Sequence, residues 1–374
     1  MKFNINRAAL LSVLNDVAHG LSSKTPMPVL TGIKIDAFLD SLTFTASNRE
    51  ISIQVKLDKN ESFEIEEEGK CVVPGKYFIE IAKKIEEDKI NFVLFEENTV
   101  KITTEKTDFT LVALDKDAFP VISFEKIGEP VILKSNILKK TIKQTNFAAG
   151  VSEARVILTG VCFEINSNKL SVIATDSYRL AKKEIELDKE YPHTKINIPN
   201  KALEELEKII SDKEDDVLLY LISNKILIIY KDIAFITRLI EGTYPDTSAL
   251  FPKDRLTTLV LKKNDLISTV DRASLFTNMD SSNVIKVVIK ANKSVQIASN
   301  NNEIGRVIEE IIPLKEPEIN NFQTAFSAKY FIEALRAFES DSVDIKFTGE
   351  IKPFVITAEK DPGLLQLILP VRIF

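Results

Sequence analysis

The sequence predicts an α+β chain built as three consecutive copies of one fold, each with two helices packed on antiparallel sheets. Three observations carry that prediction. The phrase Ala46-Ser47-Asn48-Arg49, set between alternating runs at 42–45 and 51–53, returns as Ala174-Thr175-Asp176-Ser177 and as Ala298-Ser299-Asn300-Asn301, at offsets of 128 and 124 residues. A second phrase, a short apolar strand running into an amphipathic helix, begins at Val72-Val73-Pro74-Gly75-Lys76. It recurs at Asn197-Ile198-Pro199-Asn200-Lys201 and at Ala325-Phe326-Ser327-Ala328-Lys329, spaced by 125 residues from Pro74 to Pro199 and 128 from Pro199 to Ser327. A period that long marks a duplicated domain, because solenoid and propeller repeats run about 20–50 residues. Third, Asp117-Ala118-Phe119-Pro120 closes the first copy as Gly242-Thr243-Tyr244-Pro245 closes the second. The domains are therefore expected at 1–125, 126–252 and 253–374.

Each element has a local cause. In the first copy Leu10, Leu11, Leu14 and Val17 recur at helical spacing and predict a helix over 7–20. Alternation predicts strands near 31–37, 41–46, 51–56 and 63–73. Phe78, Ile79, Ala82 and Ile85 share one face of a second helix, 75–85, and further strands follow near 90–95, 99–104 and 109–113. The later copies place helices at 134–147, 199–210, 262–276 and 327–338. Sheet edges left over within one copy are expected to pair with the next.

Composition excludes several classes. With 44% apolar and 28% charged residues the chain reads as globular, and no apolar run is long enough for a membrane span. Met1-Lys2-Phe3-Asn4 leads into the first copy and not into a signal peptide. Cys71 and Cys162 stand far apart inside apolar strand patterns, which indicates a reducing cytoplasm. His19 and His193 lie near no cysteine or paired carboxylate, so no metal, cofactor or catalytic residue is expected. Gly69 to Lys76 resembles a phosphate-binding loop, but five residues separate its glycines and Tyr77 replaces the required Ser or Thr.

The positive charge is concentrated. The whole chain carries −6, yet the six helical segments sum to +7, which leaves −13 for strands and loops. Asn136, Lys139, Lys140 and Lys143 share one helix face, opposite Leu138, Thr141, Ile142 and Thr145. Lys76, Glu80, Lys83 and Lys84 lie opposite the apolar residues of their helix, as do Lys329, Glu333 and Arg336 of theirs. Lysines also cover ordinary solvated helix faces, and the segment holding Glu204, Glu205 and Glu207 fits that reading better. If the helices share one side, they offer a weak basic surface suited to phosphate contact without sequence reading.

At these residues the chain resembles the bacterial DNA sliding clamp family, the beta subunits of DNA polymerase III. Ala174-Thr175-Asp176-Ser177-Tyr178-Arg179-Leu180-Ala181, Tyr244-Pro245-Asp246 and Leu367-Ile368-Leu369-Pro370-Val371-Arg372 carry the resemblance, with Met1-Lys2-Phe3, Arg7 and Pro26-Met27-Pro28-Val29-Leu30. The resemblance implies three clamp-type domains that close into a ring as a head-to-tail homodimer around duplex DNA. It implies a non-catalytic processivity factor that tethers the replicative polymerase alpha subunit, the clamp-loader delta subunit and other proteins bearing a clamp-binding motif. Its place is the cytoplasm, at the nucleoid during replication.

By the same resemblance, Leu275 and Phe276 pack on Phe109 of the partner, and Glu303, Glu309 and Glu310 face Lys101 and Lys106. Periodicity alone would make Leu275, Phe276 and Phe109 ordinary core. A groove for short peptides between domains 2 and 3 is implied at Leu158, Thr175, Tyr178, Arg179, Leu180 and Pro245, and at Leu250, Pro353, Leu369, Pro370, Val371 and Arg372. Its Leu, Val and Pro surface suits apolar anchors, and the two arginines suit the peptide's polar groups. By periodicity Leu158, Leu180 and Leu369 also read as buried strand residues. Ala249 stands where related clamps often carry a longer side chain, and Ile373-Phe374 extends the end. Lys24 and Arg155 match duplex-facing positions. Arg7 and the helix lysines Lys76, Lys139, Lys140, Lys143 and Lys201 join them. Val156 and Ile157 stand where some clamps place aromatics, so stacking from that loop is not expected. Two other classes fit the residues less well: a metal-dependent nuclease would need its scattered carboxylates clustered on one surface, where the helices are basic, and the basic helices also argue against an interaction scaffold without DNA.

Overall fold

The computed structural model describes the chain except residues 23–24, 97, 253, 278–282, 302 and 373–374, and the side chain of residue 153. Lys24, the expected start of domain 3 at 253, and the Ile373-Phe374 extension therefore lie outside the described residues. Six α-helices are described: α1 (Arg7–Ala18), α2 (Gly75–Lys84), α3 (Ser135–Thr145), α4 (Asn200–Ile209), α5 (Lys263–Ser274) and α6 (Ala328–Arg336). Each begins within a residue of a strand's end, as the second phrase requires. Ser327 caps α6 through its side chain, which accepts the N–H of Tyr330 at 3.4 Å.

Four antiparallel sheets carry the helices. In the first, Lys2–Asn6 lies between Phe63–Glu67 and Lys89–Phe95, followed by Thr99–Thr103 and an edge strand, Asp108–Val112. The second has eight strands. Val131–Lys134, Asp216–Ile222, Lys225–Tyr230 and Ile233–Arg238 come from the second copy, and Ile51–Asp58, Ser41–Ser47, Gly32–Phe38 and Gly69–Pro74 from the first. The copies join where Ile233 faces Val55 and Thr237 faces Ile51. The third sheet joins copies two and three, with Arg179–Pro199 pairing Leu364–Ile368 in the register Arg179 to Ile368 and Lys183 to Leu364. The fourth orders Gly305–Ile311, Val295–Asn301, Val284–Ile289 and Phe322–Ser327, leaving Gly305–Ile311 at its edge. Leftover edges of one copy thus pair with the next.

The chain groups into two compact units, one of Met1–Lys139 with Lys201–Leu239, the other of Lys140–Asn200 with Ile240–Phe374. The central copy contributes to both. In α1 the buried face is Leu10, Val13, Leu14 and Val17. Leu11 is only half-buried, because Val13 completes the 3.6-residue stripe better than Leu11 does. In α3, Leu138, Thr141, Ile142 and Thr145 are all buried, as their spacing predicts.

The first phrase folds as a capped turn in all three copies. Asn48 Oδ1 accepts the N–H groups of Glu50 and Ile51 at 3.0 and 2.8 Å. Asp176 Oδ1 accepts those of Tyr178 and Arg179 at 2.9 and 3.0 Å. In the third copy the capping residue is Asn301, which accepts from Glu303 and Ile304 at 2.9 and 3.2 Å. That is one residue later than the alignment of the phrases places it, which sets Ala298 opposite Ala174. Any short side chain with an acceptor oxygen closes this turn, so letters alone leave its register open by one.

Candidate functional site

The second copy of that turn organises a site at the strands of the third sheet. Arg179 is only 8% exposed, although it carries a full charge. Its Nε donates to Asp176 Oδ2 at 3.0 Å, Nη2 to the carbonyl of Phe147 at 2.7 Å, and Nη1 to the Glu333 carboxylate. The guanidinium lies 4.4 Å over the Tyr330 ring and 5.3 Å over Phe147. Desolvation on this scale is tolerable only because acidic partners and donors are matched so fully. Arg179 was expected to meet a peptide's polar groups. Its Nε, Nη1 and Nη2 are instead each engaged within the protein.

The neighbouring Tyr178 faces outward. It is 63% exposed, and its ring stacks beside Tyr330 with centroids 6.5 Å apart. Ser177 holds φ +80°, which turns the chain so that Tyr178 projects. Thr175 Oγ1 donates to the Arg179 carbonyl at 2.6 Å, and its backbone N–H donates to the Tyr244 hydroxyl at 3.0 Å. Burial pushes the Tyr244 phenol well above its ordinary pKa, so it stays protonated. The tail is tied alongside, with Leu369 N–H donating to the Tyr178 carbonyl at 3.0 Å and Val371 N–H to that of Ala325 at 2.7 Å.

Beneath lies an apolar floor: Leu158, Cys162, Ile173, Leu180, Tyr244, Val355 and Leu367 form one buried cluster, with Ile157, Phe251 and Leu365 packed against it. Leu180 is a buried strand residue, but Leu158 is buried in the 3-10 helical segment Glu153–Thr159 and Leu369 lies just past a strand's end; Leu369, Pro370, Val371 and Pro353 are half-buried. Pro245, Leu250 and Arg372 are exposed, as is Ala249. Of the expected groove residues, Leu158 and Leu180 share that cluster, and Thr175, Tyr178, Arg179 and Leu369 are tied together by hydrogen bonds, whereas Val371 and Arg372 line a separate cavity with Val284, Arg306 and Ile308. Sequence reasoning missed Tyr330, Glu333, Phe147 and Val355. Tyr244, part of the repeated Tyr244-Pro245 phrase, also belongs to the buried cluster. A signal for Tyr330 existed in its position at the N-terminal turn of α6, beside the Lys329–Glu333–Arg336 face.

Of the expected interface residues, Phe109, Glu309 and Glu310 stand on edge strands. Asp108–Val112 ends its sheet, with Phe109 half-buried and Lys101 and Lys106 exposed. Gly305–Ile311 ends another, with Glu303 and Glu310 exposed. Leu275, just after α5, is 72% exposed, which excludes ordinary core for it; Phe276 is half-buried against Gly305. Glu309 already binds Arg272, whose Nε donates at 3.0 Å, and Thr269 at 3.2 Å.

The expected DNA contacts are less uniform than their letters. Lys76, Lys143, Lys201 and Arg155 are exposed, and Arg155 Nη1 donates to Ser177 Oγ at 3.0 Å. Lys139 pairs with Asp212 at 3.4 Å, and Lys140 with Glu339 at 2.5 Å and Asp361 at 3.6 Å. Arg7 Nη2 donates to the Lys83 carbonyl at 3.0 Å and ties α1 to the end of α2. Among the described residues no group of three or more His, Cys, Asp or Glu is placed to hold a metal ion, and no helix is long and apolar enough to cross a membrane.

Three family models match successive parts of the chain: the DNA polymerase III beta subunit N-terminal domain at 1–123, its central domain at 132–246 and its C-terminal domain at 248–372. Among curated relatives, the beta sliding clamps of Staphylococcus epidermidis and Staphylococcus aureus are 38% and 37% identical, each alignment covering 100% of both chains. Among solved structures, the DNA polymerase sliding clamp of Bacillus subtilis matches with a TM-score of 0.95 at 36% identity, covering all of both chains. The DNA polymerase III beta chain of Streptococcus pneumoniae matches with a TM-score of 0.95 at 33% identity and the same coverage.

Proposed function

The chain belongs to the DNA polymerase III beta subunit family, the beta sliding clamps, and on that premise we propose how its residues do the family's work. It is a non-catalytic processivity factor that binds duplex DNA, forms a homodimer and tethers the polymerase and other clamp-binding proteins. Polymerase activity belongs to the complex it serves. The observation that carries the reading is the repetition itself: sheets run from each copy into the next, and the first and fourth sheets keep edge strands, Asp108–Val112 and Gly305–Ile311 among them, that pair with one neighbour only. A head-to-tail series with complementary free edges closes when a second copy supplies what the first lacks.

Phe109, Lys101 and Lys106 then meet Leu275, Phe276, Glu303, Glu309 and Glu310 of a second copy. Closure makes weak phosphate contacts an advantage, because a ring that cannot open need not grip to stay on, and loose contacts let it slide. Lys24, Arg155, Arg7, Lys76, Lys139, Lys140, Lys143 and Lys201 are the residues assigned to that contact. Lys139 and Lys140 must exchange acidic partners for phosphates to take part. The Tyr178–Tyr330 rim, the floor at Leu158 and Leu180, and the segment Leu369–Arg372 take the apolar side chains of partner peptides. The domain limits follow the repeats at 125 and 252, and the protein works in the cytoplasm, on the nucleoid.

The test is topological. The protein is loaded onto nicked circular plasmid by a clamp loader, half the sample is linearised, and retained protein is measured by gel filtration. Retention on the circle with loss from the linear form is expected. Equal retention on both would mean ordinary affinity, and the ring would have to be given up.

A further inference from the structure

A cavity of about 310 Å³ lies where the first and second copies join, and the capped turn of the first copy lines it. Arg49 there holds φ +80°, the same value as Ser177 in the peptide groove, 128 residues later. Pro120 lines this cavity as part of Phe119-Pro120, the phrase that recurs as Tyr244-Pro245 beside the groove. The cavity is thus built from the same turn and the same interdomain phrase as the groove.

Its chemistry differs. Glu50 stands where the groove has Tyr178, and Ile51 where it has Arg179. Three cations line the cavity: Arg49 and Arg238, both exposed, and Lys225, half-buried. Among the described residues none of their side chains has an ion pair or hydrogen bond, in contrast to the fully engaged Arg179. Glu50 is the one carboxylate in the lining, so the local balance is positive. Deeper polar surface comes from Ser47, Ser52 and Thr237, all buried, with the two serine hydroxyls 2.8 Å apart. The lining also includes apolar Met27, Pro120, Val121, Ile122 and Ile236.

We propose that this cavity at the join of the first two copies is a second docking site, taking an acidic, extended peptide segment of a partner protein. Carboxylates of the segment meet Arg49 and Arg238, with Lys225 alongside, and an intervening apolar side chain rests on the apolar lining at Met27 and Ile122. Charge complementarity selects an anion. The apolar lining, for which a phosphodiester backbone has no use, selects a peptide over nucleic acid. The site is separate from the groove at Tyr178, so one clamp subunit offers two peptide sites of opposite character.

The probe is a fluorescein-labelled octapeptide, Gly-Asp-Val-Glu-Asp-Val-Asp-Gly, measured by fluorescence anisotropy at low salt on the intact protein. Saturable binding is expected, weakened about tenfold or more by Arg49→Glu with Arg238→Glu, as loss of charge-assisted bonds implies. That variant should still bind an apolar groove peptide normally, which separates failure of this site from failure of the fold or of the groove reading. Replacing the acidic residues of the probe by lysine should abolish binding. Three outcomes overturn the proposal: no binding to the unaltered protein, displacement of the probe by the groove peptide, or equal sensitivity of an oligothymidylate of matched charge to the same double variant.

Discussion

The Tyr244 hydroxyl oxygen accepts the backbone N–H of Thr175 at 3.0 Å, tying the segment before the third copy to the turn that carries Tyr178. Both residues are buried, at 2% and 8% exposure, so water cannot replace the bond. Tyr244→Phe leaves that N–H without its acceptor, at a cost of about 1–3 kcal/mol. Urea denaturation should show the loss, and groove-peptide affinity should fall with it as the turn loosens. An unchanged midpoint would mean that the amide has another acceptor.

Arg179 is the charge on which the site depends. Its removal strands Asp176 and Glu333 together and deletes the plate beneath Tyr330. Arg179→Ala is expected to destabilise by about 3–5 kcal/mol, the usual result of breaking a buried pair from one side. Arg179→Lys should recover less than half of that, because an ammonium cannot serve Asp176, Glu333 and the Phe147 carbonyl as a planar fork does. Full recovery by lysine would reduce the site to simple charge balance.

Leu275, 72% exposed in a single chain, is with Phe276 the apolar part of the proposed partner contact. Leu275→Ala combined with Phe276→Asp should give monomers by sedimentation velocity, with far-UV circular dichroism unchanged. A dimer that survives would place the interface elsewhere.

The Arg272–Glu309 pair makes a pH prediction. The hydrogen bond from Arg272, aided by Thr269 and opposed by partial burial, holds the Glu309 carboxyl below the usual carboxylate range. A depressed carboxyl pKa contributes stability above its unfolded value, about 4.3, and loses it as pH falls through the folded one. Arg272→Ala should therefore lower Tm by about 1–2 °C at pH 7, as for a surface pair, and the difference should fade below about pH 4. A difference that grew on acidification would reverse the sign and exclude this account.

Much of the architecture is legible in the letters, because repetition and alternation are local properties of the backbone. The period of the two phrases, the strand-to-helix junction at Pro74, Pro199 and Ser327, and the buried stripe of α3 each follow from spacing alone. Spacing could not tell that Leu275 emerges into solvent while Phe109 sits half-covered on an edge, since a residue at an element's end fits either fate. Nor could it tell that Asn301, not Asn300, closes the third turn, or that Lys140 faces Glu339.

The sequence by itself determined the fold class, the three copies and the family phrases at Ala174–Ala181 and Leu367–Arg372, all set by neighbours a few residues apart. Only the tertiary structure decided which charges are committed and which are free. Arg179 meets Glu333, 154 residues away, while Arg49 and Arg238 share a cavity lined also by Glu50 and, among the described residues, form no ion pair there. Periodicity dictates which face of an element turns inward; the partner it finds there depends on how distant sheets join.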